Sequence, residues 1–118
     1  MSENGKVYVV QETNHSMIKA REFGDLVYMS NGERDDFVNI TNSPTNERLL
    51  SHLAEFLREY DPEADFIVPV GSPYVQMAVF WILGAMNVRR VRILRWNNKD
   101  HGYIPLVLNL RREIIDGD

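Results

Sequence analysis

The loop Gly71-Ser72-Pro73 has the residue types and the position in the chain that best suit a chemical role. It follows an apolar segment, residues 66–70, that predicts a buried strand, and it precedes an apolar segment that predicts a helix. Free backbone N–H groups at a helix start attract anions, and glycine lets a ligand approach the backbone closely. Gly71 and Ser72 are therefore candidate anion-binding residues. The alternative is an ordinary helix start, because no lysine or arginine occurs between Ala64 and Val88 and a phosphate loop of the GxxxxGK[ST] type needs its lysine.

A predicted strand at residues 88–96 carries four arginines within seven positions, namely Arg89, Arg90, Arg92 and Arg95. Near Trp96 and Tyr103, such arginines could pair with the phosphates and stack on the bases of a nucleotide or of single-stranded RNA. Arg92, Arg95, Trp96 and Tyr103 are therefore candidate ligand-binding residues. Two structural roles are the alternatives for these arginines. Charges on an edge strand prevent aggregation between sheets, and arginines can pair with acidic groups within or between subunits.

The sequence contains no recognisable catalytic or metal-binding constellation. There is no cysteine, and the three histidines show neither HExxH nor HxH spacing. Ser72 has the placement of a hydrolase nucleophile, but the GxSxG signature is missing and Pro73 has no N–H to donate to an oxyanion. We therefore expect no catalytic residue, no metal site and no cofactor. An enzyme acting on a nucleotide stays the weaker alternative, because the sequence near Gly71 offers no general base, and Asp25 or Glu12 could reach it only through the fold.

Hydrophobic periodicity predicts an α/β fold. Strands are expected at residues 6–11, 25–30, 66–70, 88–96 and 103–110, with a short helix at 17–23 and two main helices beginning after Ser43 and Ser72. Asn31-Gly32 is a hairpin signal, with residues 33–40 as the partner strand. The whole chain, residues 1–118, is expected to be one domain with frayed ends at 1–5 and 112–118. Its mixed sheet of about five strands has strand-helix-strand units in the middle and an antiparallel hairpin at the C-terminus.

The second main helix is apolar on all sides apart from Gln76, which predicts that it is buried all round. A single domain of 118 residues has difficulty surrounding such a helix. An interface between subunits would cover the remaining apolar surface, so the sequence predicts a homo-oligomer, with a homodimer as the simplest form.

Charge and targeting signals limit the possible partners. Net charge is −4, with −7 on residues 1–85 and +3 on residues 86–118. The overall acidity argues against a duplex-DNA binder, because attraction to phosphates supplies most of that affinity. The N-terminus lacks the features of a signal peptide, and the apolar stretch at residues 74–86 is too short to span a bilayer. We therefore expect a cytoplasmic protein without a membrane partner.

Three segments together resemble small α/β proteins of tailed bacteriophages that have no assigned function. They are residues 23–27 (FGDLV), residues 65–73 (DFIVPVGSP) and residues 94–110, with their Arg-Trp and Tyr-x-Pro hairpin. The resemblance implies an accessory or host-takeover role in the host cytoplasm. It provides no activity or site residue that could be carried over. The leading hypothesis is a non-catalytic accessory protein that binds a protein partner or a small ligand, and the alternative is a nucleotide or single-stranded nucleic-acid binder.

Overall fold

The computed structural model describes residues 5–32, 34–41 and 43–117. The five strands are β1 (Lys6–Val9), β2 (Asp25–Tyr28), β3 (Phe66–Val68), β4 (Arg90–Asn97) and β5 (Gly102–Asn109). The helices are a 3₁₀ helix (Ala20–Phe23), α1 (Pro44–Leu57), α2 (Pro73–Ala85) and α3 (Arg112–Asp116). The predicted α/β class, the two main helices and the C-terminal hairpin are confirmed.

The strands form a single mixed sheet in the order β2-β1-β3-β4-β5. The first four strands run parallel, and β5 runs antiparallel to β4. The chain moves outward from β1 to β2, then crosses back over β1 to form β3 and continues outward in the other direction. The order therefore reverses between β1 and β3, as in doubly wound folds.

Two apolar clusters lie on opposite faces of the sheet. Tyr8 and Ile67 contact α1 and α2 through the larger cluster, which also contains Leu53, Val79 and Leu83. The smaller cluster joins alternate strand residues to the segment before β2, and it contains Val7, Val9, Met17, Ala20, Phe66, Val68 and Leu94. Adjacent strand residues therefore point to opposite faces, and both faces of the central strands are buried.

The hairpin predicted at Asn31-Gly32 is wrong. The described residues between 31 and 41 contain no strand, and β2 pairs in parallel with β1 instead. The backbone N–H of Asn31 donates to Asp35 Oδ2, and the N–H groups of Arg34 and Asp35 both donate to the Asn31 carbonyl. The turn signal therefore marks a local turn that leads into the loop before α1.

Helix α1 begins as predicted, because Ser43 Oγ accepts a hydrogen bond from the N–H of Thr45 at 3.1 Å and Pro44 occupies the first turn. Helix α2 also begins with proline, but Ser72 makes no side-chain cap. The prediction that α2 is buried on all sides is wrong for the single chain. One side is exposed, with Tyr74, Met77 and Trp81 in a line that continues to Gly84 and Ala85.

The C-terminal tail continues from β5 into α3, which has no buried residue. Fraying was predicted for residues 1–5, but positions 1–4 lie outside the described residues. Position 118, at the end of the second segment predicted to fray, also lies outside them. No helix in the described ranges is long and apolar enough to cross a membrane.

Two buried tyrosines on the helical face of the sheet give a testable contrast. The Tyr8 hydroxyl has no hydrogen-bond partner among the described residues, whereas the Tyr60 hydroxyl accepts from the N–H of Arg92 at 3.1 Å and donates to the carbonyl of Asp65. An unpaired buried hydroxyl destabilises a fold. We expect Tyr8→Phe to stabilise the protein by about 1 kcal/mol and Tyr60→Phe to destabilise it by about 1–2 kcal/mol. Urea unfolding measures both variants, and equal effects would contradict the expectation.

The Tyr8 hydroxyl also makes the stability of the protein depend on pH in the alkaline range. Burial, reinforced by the charges of Asp65 and Glu59, raises the pKa of Tyr8 from 10.0 to about 12. The folded state then holds this proton more tightly than the unfolded state, so the stabilisation is complete below pH 10 and is lost as pH rises toward about 12. Tyr8→Phe should therefore flatten the alkaline decline in stability, as measured by urea unfolding between about pH 9 and pH 11.

Candidate functional site

The loop after β3 is fastened to the end of β1 by the side chain of Gln11. This side chain is only 3% exposed. Its Oε1 accepts a hydrogen bond from the N–H of Ser72 at 2.7 Å, and its Nε2 donates to the carbonyl of Asp35. One buried amide therefore joins the carboxyl ends of β1 and β3 to the loop that follows β2. We call this arrangement the Gln11 clasp.

Gly71 is required by the clasp for two reasons. Its φ of +94° lies in the region that favours glycine, and a Cβ at this position would lie 2.5 Å from the Cβ of Gln11. Its carbonyl accepts a hydrogen bond from Gln76 Nε2 at 2.8 Å, which fixes the loop to the first turns of α2. The glycine therefore permits close contact with the protein's own Gln11 side chain.

The Ser72 hydroxyl donates to Asp36 Oδ1 at 2.8 Å. A carboxylate of the protein itself consequently lies beside the start of α2, where the helix dipole and free N–H groups favour negative charge. Among the predicted site residues, the structure thus places Gly71 and Ser72 together, with an acidic rather than a basic side chain next to them.

Arg92 lies at the opposite end of the sheet from Ser72. It belongs to the first half of β4, next to the start of β3 rather than its end. Its guanidinium carbon is 3.9 Å from the centre of the Phe66 ring, and Nη1 donates to the carbonyl of Glu63. The structure does not bring Arg92 and Ser72 together, and the contacts of Arg92 join β4 to the turn before β3.

Trp96 and Tyr103 are cross-strand partners in the hairpin, with ring centres 5.1 Å apart in an edge-to-face arrangement. The indole N–H donates to Asn98 Oδ1, and the Tyr103 hydroxyl contacts Met17 Sδ at 3.4 Å. Burial raises the pKa of the Tyr103 hydroxyl above its ordinary value. Arg95 is exposed and, by strand alternation, points to the other face of the hairpin. The predicted six-residue set therefore divides into separate groups.

A polar crevice lies on the other side of Gln11, above the carboxyl ends of β1 and β2. Its volume is about 680 Å³. We call it the β1–β2 crevice, and its lining consists of Gln11, Glu12, Thr13, Asn14, Tyr28, Asn31, Gly32 and Arg34. Of these residues, the sequence pointed only to Glu12, as a possible base that could reach Gly71 through the fold. The available signal was the abrupt change from an apolar strand to consecutive polar residues after Val10.

Comparison with known protein families shows which family the chain belongs to. A model of the phage Pam3 gp32-like proteins matches residues 5–110, which include all five strands and both main helices. The chain belongs to this family. It is therefore a phage protein, as the resemblance of its sequence segments suggested. The comparisons found no match among curated proteins or solved structures.

The matched range of the phage Pam3 gp32-like family contains the Gln11 clasp, the β1–β2 crevice and the exposed side of α2, and it ends before α3. The family description names no reaction and no ligand. Function must therefore be argued from the surfaces of this chain itself.

Proposed function

We propose that this phage protein acts by binding rather than by catalysis, as a self-associating accessory protein in the host cytoplasm. The observation that carries the proposal is the exposed apolar line on α2, which we call the α2 stripe: Tyr74, Met77, Trp81, Gly84 and Ala85. The three large side chains are 64–70% exposed. Contiguous exposed apolar side chains of this size are typical of interaction surfaces.

A second copy of the chain suits the α2 stripe better than a charged partner does. No charged residue occurs between Phe66 and Val88, so the stripe offers no ionic recognition to a different protein. Two copies related by a two-fold axis would bring no like charges together along the helix. In that antiparallel crossing, Met77 of one copy faces the region of Trp81 in the other, which is the self-complementary arrangement of an isologous dimer.

Apolar hollows on both sides of α2 favour the same interface. One hollow, between α1 and α2, has a volume of about 450 Å³ and includes Phe37 and Leu50. The other, between α2 and the hairpin, has a volume of about 330 Å³ and includes Phe80 and Leu108. Large side chains such as Trp81 can insert into hollows of this kind across an interface, and buried tryptophans contribute strongly to binding.

The surroundings of Ser72 support the non-catalytic part of the proposal. Its hydroxyl is hydrogen-bonded to a carboxylate rather than to a histidine. The residue that follows is Pro73, which has no N–H to donate to an oxyanion. Neither activation of the nucleophile nor stabilisation of the intermediate is therefore provided in the way that serine hydrolases require.

Sedimentation velocity at increasing protein concentration tests the self-association. We expect the unmodified protein to be dimeric at micromolar concentration and Trp81→Glu to raise the dimer Kd about 30-fold or more, because it removes a central aromatic contact and introduces charge. Ile18→Glu is the matched control, since Ile18 is 67% exposed but lies next to Met17, in the cluster on the other face of the sheet. A monomeric wild-type protein at high micromolar concentration would refute the proposal.

A further inference from the structure

The β1–β2 crevice lies beside the point where the strand order of the sheet reverses. After β1 the chain turns toward the face that carries the 3₁₀ helix, whereas after β3 it turns toward the face that carries α2. Connections that leave adjacent strands toward opposite faces open a gap above the carboxyl ends of the strands, where open α/β sheets bind ligands. The Gln11 clasp fills that gap between β1 and β3, and the crevice lies beyond Gln11, above β1 and β2 at the same carboxyl edge of the sheet. Its volume of about 680 Å³ lies within the usual range of small-molecule sites.

The wall of the crevice next to β3 is rigid. Gln11 forms part of this wall, and both ends of its buried amide are hydrogen-bonded. The N–H of Glu12 donates to the carbonyl of Ser30 at 3.0 Å, and the Ser30 hydroxyl donates to the carbonyl of Val10. Asp35 accepts from the backbone of Asn31. These hydrogen bonds fix the backbone at Glu12 and Asn31 before any ligand enters.

Most polar side chains that line the crevice make no hydrogen bond within the described residues. Gln11 and Thr13 are the exceptions, since Gln11 forms the clasp and Thr13 Oγ1 accepts from the N–H of His15. The neighbouring residues Ser30, Asp35 and Asp36 also use side-chain atoms in hydrogen bonds. By contrast, five side chains of the lining make no hydrogen bond or ion pair with any residue that the structure describes: Glu12, Asn14, Tyr28, Asn31 and Arg34. A partly fixed backbone that presents five free polar side chains is the arrangement expected of a polar binding site.

The identity of these five side chains restricts the ligand. The carboxylate of Glu12 can accept hydrogen bonds from two neighbouring hydroxyl groups, as an acidic residue does for ribose in dinucleotide-binding sheets. The amides of Asn14 and Asn31 can both donate to such hydroxyl groups and accept from them. The exposed ring of Tyr28 offers a stacking surface for a base. Arg34 can pair with a phosphate. Among the lining residues that the structure describes, Glu12 and Arg34 carry charge, and Arg34 is the cation available to a phosphate.

We propose that the β1–β2 crevice binds a nucleoside monophosphate. The ribose hydroxyls bind to Glu12 with the help of Asn14 and Asn31, the base stacks on Tyr28, and the phosphate pairs with Arg34. This site differs from the region around Ser72 and α2, where Asp36 lies, and from the hairpin that carries Arg92. The proposal does not depend on self-association, because the crevice contains no residue of the α2 stripe.

Isothermal titration calorimetry with four ribonucleoside monophosphates tests the proposal, with the parent nucleosides, ribose 5-phosphate and inorganic phosphate as comparison probes. We expect at least one monophosphate to bind saturably, its nucleoside to bind more weakly, and inorganic phosphate to bind most weakly. Failure of every monophosphate to bind saturably would overturn the proposal. So would binding of short single-stranded RNA without binding of any monophosphate.

Three variants assign the separate parts of the ligand. Arg34→Gln should weaken binding of the monophosphate about tenfold or more and leave binding of the nucleoside unchanged. Glu12→Gln should weaken the binding of both ligands. Tyr28→Leu should weaken the binding of the nucleotide more than the binding of ribose 5-phosphate. Arg21→Gln, which removes an exposed arginine from the 3₁₀ helix, is the matched control and should leave the binding of both ligands unchanged. Binding that is unaffected by both Arg34→Gln and Glu12→Gln would overturn the assignment.

Discussion

Replacing Gly71 by alanine is expected to lower the free energy of unfolding by about 3 kcal/mol. The residue has a φ of +94°, which costs an alanine roughly 1–2 kcal/mol in local strain. The added Cβ would also lie 2.5 Å from the Cβ of Gln11, and this atom is part of a buried side chain rather than the end of a flexible one. To avoid the collision, the clasp between β1, β3 and the loop before α1 must open.

Gly84→Ala is the matched control for this substitution. Gly84 lies inside α2, and a Cβ at its position would meet no atom within 4 Å. Alanine is the better helix former, so this change should stabilise the monomer by about 0.5–1 kcal/mol. Urea unfolding followed by circular dichroism, at protein concentrations low enough to prevent association, compares the two variants. A Gly71→Ala protein as stable as the wild type would contradict the expectation.

A double-mutant cycle attributes the effect to the clasp. Gln11→Ala alone should be destabilising, because it leaves the N–H of Ser72 and the carbonyl of Asp35 without their partner. In the background of Gly71→Ala, the same truncation removes Oε1 and Cδ of Gln11, which also lie within 3 Å of the added Cβ, but it keeps the Cβ of Gln11, so it should cost somewhat less than in the wild type. Additive effects of the two substitutions would show that the strain at Gly71 does not involve the amide end of Gln11.

The elements that are set by local patterns were predictable from the sequence. The apolar spacing of Leu49, Leu53 and Leu57 and the pair Ser43-Pro44 define α1, and all three leucines are buried. The hairpin of β4 and β5 was equally clear, because the two strands are adjacent in sequence and joined by a polar turn. The pairing of β2 was not predictable in this way. Its partner is β1, about 20 residues away, and the nearby Asn31-Gly32 signal suggested a local partner instead.

The arrangement of the candidate site was only partly accessible from the sequence. The separation of Arg92 from Ser72 follows from strand direction, since parallel β3 and β4 have their carboxyl ends at the same edge and Arg92 lies early in β4. The contact between Gln11 and Asp35 could not be anticipated. It joins residues 24 positions apart, and Asp35 lies in a loop that has no periodic pattern. Loops of this kind are positioned by side-chain hydrogen bonds that sequence spacing does not encode.

The partners of Arg92 also show why arginine-rich strands are ambiguous in sequence. Its guanidinium packs on Phe66 and donates to a backbone carbonyl, and Arg90 lies 3.7 Å from Glu63. These contacts hold the start of β4 against the turn that precedes β3. The same residue types and spacing would have suited a nucleic-acid surface. Only the fold determines whether an acidic segment of the same chain lies within reach.

Replacing Asp65 by alanine should also destabilise the protein by about 3 kcal/mol. This carboxylate is buried directly before β3. Its Oδ1 accepts from the N–H of Lys6 at 2.7 Å, and its Oδ2 accepts from the N–H of Asp61 at 2.7 Å. Hydrogen bonds to a charged group contribute about 1.5–3 kcal/mol each, and alanine would leave two backbone donors without partners at the same time.

Two further substitutions test whether the loss of these two hydrogen bonds causes the destabilisation expected for Asp65→Ala. Asp65→Asn keeps one oxygen acceptor but turns an NH₂ group toward the other N–H, so it should recover only part of the loss. Asp25→Ala removes an exposed carboxylate at the start of β2 and should change stability by less than about 0.5 kcal/mol. An Asp65→Ala protein as stable as Asp25→Ala would mean that water replaces the carboxylate at both N–H groups. In that case the start of β1 and the turn after α1 would be held by packing rather than by this side chain.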